Sequence, residues 1–294
     1  MIRALALGIW TVAVVIVGSS SGSIAFARGE DVTVTFEPST RTRLGANEAY
    51  LRRAAAHVAN IISLPEPVPV VFEECGGDEN AYWLGVEKRV KVCYDLVRVL
   101  AKSARKYAPE GGNDLVRAFR ASLVFVMFHE IGHAYVDLAE LPVTGSEEDT
   151  VDQFAAFVME GAGPTTQGSV AVGSAVFFSD LRGTGGAWRK HAPSQQRVTN
   201  ALCLAWGSNY KAVTKHVTKI ALLVDNIDGM EEFLGTCDRE WQSVRRFWKQ
   251  HTDVPVVCPT TDGKRVRCRP GRVCCEGGVG CCDKDLLTGE DLLK

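Results

Sequence analysis

An apolar run, Leu123-Val124-Phe125-Val126-Met127-Phe128, leads without a break into His129-Glu130-Ile131-Gly132-His133. The surrounding segment, Asp114 to Leu138, reads as one long helix. A helix this apolar on all sides has to lie at the centre of a domain rather than on its surface. Burying a Glu there costs several kcal/mol unless it is paired. The spacing supplies a reason to accept that cost. Residues i and i+4 of a helix project from nearly the same side, so His129 and His133 can reach one tetrahedral Zn²⁺ at about 2.0–2.1 Å. Glu130 then stands beside the metal, where it can take a proton from a metal-bound water and pass it to a leaving amine. One Zn²⁺ per chain is expected.

The rest of the chain limits what such a helix can serve. With 294 residues, 46% of them hydrophobic, there is material for one sizeable core plus an appendage. Lys+Arg 33 against Asp+Glu 35 offers no general attraction to nucleic acid. Residues 1–27 read as an export signal: Met1-Ile2-Arg3, an apolar stretch from Ala4 to Gly18, then Ala25-Phe26-Ala27 in the A-x-A cleavage pattern. The stretch is shorter than the roughly 20 residues of a membrane span. The mature chain is therefore expected to begin near Arg28 with no stable membrane span. It should be exported to a bacterial periplasm or the extracellular space, where disulfides form.

Strands are expected over Asp31–Glu37 and Val68–Glu73, and one or two within Ala81–Val92. An exposed edge strand in that last stretch would suit an extended peptide adding alongside it. Helices are expected over Asn47–Ile62, with Asn47 as N-cap, and over Leu96–Tyr107, Ser146–Met159, Ser194–Trp206 and Lys211–Leu223. A further helical stretch, Glu231–Gln250, is broken by Gly235. Gly161–Gly186 is Gly- and Ser-rich around an apolar stretch and is left unassigned. The class is α+β, with a central helix and a small mixed or antiparallel sheet.

A third ligand is needed to complete the centre. The metzincin continuation would put Gly and His where the chain has Val136 and Ala139. Downstream lies Ser146-Glu147-Glu148-Asp149-Thr150-Val151-Asp152-Gln153-Phe154-Ala155-Ala156. Acidic residues in a first helical turn complement the helix dipole without any metal. Glu148 and Asp152, however, are four apart on one face, and Ala155 and Ala156 leave room for close packing. That arrangement suits one carboxylate as ligand and another holding a ligand histidine. At this level the segment, rather than a single residue, is the candidate.

H-E-x-x-H followed by E-x-x-x-D on a second helix resembles the gluzincin pattern. The short gap and Val151-Asp152-Gln153-Phe154-Ala155-Ala156 look like the compact minigluzincins. More closely, residues 30–250 resemble a bacterial family of exported metallopeptidases with no assigned substrate. The residues that carry this are Cys75, Cys93-Tyr94-Asp95, His129 to His133, Leu141-Pro142-Val143, Glu147-Glu148-Asp149, Asp152-Gln153, His191, Gln196-Arg197, Cys203-Leu204 and Cys237. The resemblance implies a zincin-like domain with zinc ligands His129, His133 and Glu148, Glu130 as general base, and Asp152 orienting His129. Helix geometry agrees with Glu148. Glu147 and Asp149 are turned about 100° to either side of it, and Glu has the longer reach to a metal on another helix. A further donor should stabilise the oxyanion, and His191 and Arg197 are the candidates. His57, His216 and His251 read as solvated or core residues.

Cys75 with Cys93, and Cys203 with Cys237, are expected to close two disulfides. Six more cysteines follow Pro255: Cys258, Cys268, Cys274, Cys275, Cys281 and Cys282. So short a segment with few large apolar side chains cannot build an ordinary core, so covalent staples should hold it. A zinc knuckle is the competing reading. The chain thus divides into a signal (1–27), a metallopeptidase domain (28–254) acting on a peptide or protein substrate, and a Cys-rich module (255–294). The alternative is a zinc-stabilised binding or envelope-adhesion protein without turnover. Glu130 argues against it, since zinc binding alone does not require that residue.

Overall fold

The computed structural model describes residues 32–62, 64, 66–161, 169–179, 194–221 and 234–252, with 257–259, 265–267, 272–274 and 281–283 in the tail. The expected signal, His191 and most of the tail, including Cys268 and Cys275, lie outside the described residues.

Four strands make a small mixed sheet: β1 (Val32–Phe36), β2 (Val68–Glu73), β3 (Ala81–Leu84) and β4 (Arg89–Cys93), in the order β1-β2-β4-β3. β1, β2 and β4 run parallel, while β3 returns antiparallel to β4. Alternation puts Val32, Val34, Val68, Val70, Phe72, Val90 and Val92 on the buried face. The stretch Ala81–Val92 therefore holds two strands, and β3 is one of the sheet's two edges. Helix α1 (Ala46–Ile61) covers β1. Its entry residue is Gly45, at φ 54, a conformation that suits glycine. Asn47 is therefore not the cap. It lies in the first turn, where its amide donates to the Leu44 carbonyl (3.0 Å) and its Oδ1 accepts from Arg120 Nε (2.9 Å).

Five described helices follow α2 (Tyr94–Tyr107): α3 (Gly112–Leu138), α4 (Glu147–Gly161), α5 (Ser169–Ser179), α6 (Ser194–Ala221) and α7 (Cys237–Thr252). α3 is the axis of the molecule. It packs against β2, β3 and β4 on one side and against α1, α2, α4 and α5 on the others. Every residue from Ala121 to Gly132 is buried, as its apolar circumference demands. α5 occupies part of the segment left unassigned above. It is apolar on all faces and lies between α3 and α6. α6 joins the two helices expected over 194–223, with a break at Asn209, whose Oδ1 accepts from the Ala212 N–H of the second half. In the tail, β5 (Val257–Pro259) pairs with β6 (Arg265–Arg267), and β7 (Arg272–Cys274) with β8 (Cys281–Asp283), both antiparallel.

Both expected disulfides of the domain are closed. Cys75–Cys93 ties the segment after β2 to the end of β4, and Cys203–Cys237 ties α6 to α7. No helix among the described residues is long and apolar enough to cross a membrane.

Gly132 sets the distance between α3 and α4. A Cβ built there would lie 3.0 Å from both Val151 Cβ and Phe154 Cδ1, two fully buried side chains of α4. Gly132→Ala should push α4 away and cost about 1–3 kcal/mol, as overpacking does. Urea denaturation of wild type and variant measures this.

Candidate metal centre

The tight α3–α4 crossing carries the acidic start of α4 over the His129–His133 face of α3. His129 Nε2 lies 3.3 Å from Glu148 Oε2, and His133 Nε2 lies 3.4 Å from Glu148 Oε1. One ligand atom from each of the three residues falls within 4.8 Å of the other two. One carboxylate thus stands 3.3–3.4 Å from both nitrogens, close enough for all three residues to share one cation with bonds of about 2.0–2.1 Å. The two rings meet edge to face with centroids 4.9 Å apart, so both Nε2 atoms converge on one point.

The other nitrogen of each ring is occupied by a carboxylate. His129 Nδ1 is 2.8 Å from Asp152 Oδ1, and His133 Nδ1 is 2.6 Å from Glu147 Oε1. Asp152 is gripped by Arg197 of α6, whose Nε donates to Oδ2 (2.7 Å) and Nη2 to Oδ1 (2.8 Å). The same Nη2 lies 3.3 Å from Glu148 Oε2, and the guanidinium sits over the Phe178 ring of α5 at 4.4 Å. At 2% exposure, Arg197 is committed to these partners and is not part of the cleft wall. The candidate oxyanion donor of the sequence thus faces Asp152 and Glu148 in this structure. The other candidate, His191, lies outside the described residues.

Charge in this cluster is strongly coupled. Burial alone disfavours protonated His129, but hydrogen bonds to Asp152 and Glu148 and the nearby carboxylate charges outweigh it and raise its pKa to about 9. Burial likewise opposes the charge on Glu148, yet both histidines and Arg197 hold its carboxyl far below the usual carboxylate range. Asp152, also opposed by burial, is kept below its ordinary value by Arg197 and His129. The carboxylates thus demand positive charge where the two Nε2 atoms meet. A divalent cation with N and O ligands meets the same demand.

A cleft of about 310 Å³ opens over the centre. Its walls are Asn80 and the β3 residues Ala81, Tyr82 and Trp83 on one side, with Glu147, Glu148 and Phe177 opposite. Glu130 lines it between the histidines, with Oε1 4.0 Å from His129 Nε2. Trp83 Nε1 donates to Asp137 Oδ2 (2.9 Å), which ties the edge strand to α3 one turn beyond His133. Tyr82 donates its hydroxyl to Asp78 (2.9 Å).

Sequence reasoning missed Glu147 and the cleft residues of β3 and α5. Glu147 does point away from the face that Glu148 shares with Asp152. An imidazole has two nitrogen edges, however, and two consecutive residues can straddle it. The pair Glu147-Glu148 ahead of an apolar helix was the available signal.

Two histidines four apart on a buried helix, met by a carboxylate from a second helix, define a protein equipped to hold a metal, with the Glu130 carboxylate in the same cleft. The chain belongs to a metallopeptidase family: the family model described as "Putative metallopeptidase" matches residues 35–251. No curated protein matches the chain. No solved structure matches it either.

Removing the buried cation should expose how much the cluster depends on it. Arg197→Met leaves Asp152 with His129 alone as a partner among the described residues and should cost about 3–5 kcal/mol. The double variant Asp152→Asn/Arg197→Met should recover much of that loss. Denaturation of the metal-free proteins, read as a double-mutant cycle, tests it.

Proposed function

We propose that the protein is an exported zinc peptidase of the gluzincin type, with a zincin-like catalytic domain over residues 28–254. One observation carries this reading. A single carboxylate of α4, Glu148, meets the Nε2 atoms of both histidines of the H-E-x-x-H helix at 3.3 and 3.4 Å, with Glu130 in the same cleft. His129, His133 and Glu148 would hold one Zn²⁺, and Asp152 would fix the ring of His129. The closed disulfides fit an oxidising compartment.

A bound zinc supplies Lewis acidity and makes water acidic enough to ionise near neutral pH. Glu130 takes the proton of the attacking water and returns it to the departing nitrogen. Its carboxylate is suited to this: it faces the cleft, and no hydrogen bond ties it to any described group. The edge strand β3 runs along the same cleft, so an extended peptide can pair with its open side and lay a carbonyl over the centre. Asn80, Tyr82 and Trp83 then flank the peptide.

Hydrolysis of a diverse peptide library by the purified protein, with and without chelator, tests the activity. Glu130→Gln should keep zinc and lose about 10²–10⁴-fold or more in rate. Glu148→Ala should lose zinc and activity together, while Asp152→Asn should keep zinc with about 10–100-fold weaker affinity. Stoichiometric zinc in a His129→Ala/His133→Ala double variant would sink the site. Wild type and Glu130→Gln equally inert towards every peptide, both loaded with zinc, would favour a binding protein.

The tail, residues 255–294, is read as a separate disulfide-held module. All ten cysteines should then be oxidised, and intact mass before and after reduction should show five disulfides. Six thiols alkylated without reduction, together with a second zinc, would instead make it a metal-binding tail.

A further inference from the structure

We propose that Glu147 is a positioning residue for His133, so that the centre rests on two carboxylate–histidine pairs, one buried and one open to the cleft. The proposal rests on the metal-binding reading above and adds a role to a residue that reading leaves unused. His133 Nδ1 lies 2.6 Å from Glu147 Oε1, while Nε2 on the opposite edge of the ring lies 3.4 Å from Glu148 Oε1. Consecutive side chains at the start of α4 diverge by about 100°, and the two ring nitrogens diverge as well. The ring is therefore held from both edges by neighbouring residues.

A neutral histidine that turns the Nε2 lone pair towards a cation carries its proton on Nδ1. A carboxylate at 2.6 Å accepts that proton's hydrogen bond, fixes the tautomer and makes the ring a better donor to the metal. A Glu serving only the helix dipole would have no need to touch the ring. The two pairs differ in their surroundings. The Asp152 side chain is 7% exposed and clamped by Arg197, whereas that of Glu147 is 52% exposed and forms part of the cleft wall. Glu147 therefore orients His133 from the side on which substrate would enter.

The experiment uses the mature full-length protein and compares wild type, Glu147→Ala and Glu147→Gln. Zinc affinity is read by competition with a chromophoric chelator, and the His133 Nδ1–H proton by NMR of ¹⁵N-histidine-labelled protein. Glu147→Ala should weaken zinc binding by about 10–100-fold. It should also remove the downfield, slowly exchanging Nδ1–H signal of His133 while leaving that of His129. Glu147→Gln keeps an acceptor oxygen and should recover part of the affinity. Wild-type affinity and an unchanged His133 signal in Glu147→Ala would overturn the proposal and leave the metal reading standing. If wild type itself binds no zinc, the metal reading fails. The His133 signal of the metal-free proteins then decides this proposal alone: its loss in Glu147→Ala supports the pairing, and its persistence refutes it. Glu147 is half-exposed and its removal leaves no core cavity, and far-ultraviolet circular dichroism of all three proteins checks their folding.

Discussion

The guanidinium of Arg197 lies between Asp152 and Glu148 at 2% exposure, and the acidic centre depends on it. Removing a carboxylate from water costs several kcal/mol even after the protein relaxes. Here two carboxylates approach a single point inside an apolar domain. Without a cation behind them, Asp152 would regain stability by taking up a proton, and it would then be a poorer acceptor for His129 Nδ1. Arginine suits the position because its planar fork gives two parallel donors to one carboxylate and keeps its charge at any ordinary pH. Its flat face is stacked on Phe178. One side chain of α6 thereby fixes residues of α3, α4 and α5 relative to one another.

That electrostatic arrangement is useful only if the helices come close enough, and small residues decide this. Gly132 allows Val151 and Phe154 of α4 to rest against α3 between the two histidines. Gly173 does the same for α5: a Cβ there would lie 2.6 Å from the Ala121 carbonyl oxygen of α3. The opposite wall is fixed by other means. Cys75–Cys93 closes the segment that leads into β3, the Cys93 N–H donates to the Asn80 carbonyl (3.1 Å), and Gly77 N–H donates to Asp95 Oδ2 (3.1 Å). The cleft therefore lies between a wall set by helix packing and a wall set by a cross-linked strand.

What could be read in the sequence follows from the range of each signal. The buried character of α3, the strand Val68–Glu73 and the shared face of Glu148 and Asp152 are local periodicities, and the described structure has all three. α5 was not legible, because a short apolar run such as Val170–Phe178 fits a buried strand or a buried helix equally well. The cap at Asn47 failed because Gly45 offers a backbone conformation that outweighs the side-chain preference. Arg197 is legible in the sequence as a candidate donor, but its partners are not. Its contacts with Asp152 and Glu148 span more than 40 residues of sequence, and no periodicity reports on such a separation. Phe177, Tyr82 and Trp83 reach the cleft only through tertiary packing, so their types alone could not mark them.

The four carboxylates at the centre differ mainly in how many partners already hold them. Asp152 accepts from Arg197 twice and contacts His129, Glu148 lies against both histidines and Arg197, and Glu147 contacts His133. Glu130 has no hydrogen bond to any described group, although it lies on the same helix turn as the histidines and lines the cleft. Its Oε1 lies 4.0 Å from His129 Nε2, beyond hydrogen-bond reach, and the carboxylate opens to the cleft. The general base of the proposed reading needs lone pairs that are free for water. The three paired carboxylates hold the rings, and Glu130 keeps the access to water that the proposed reading requires.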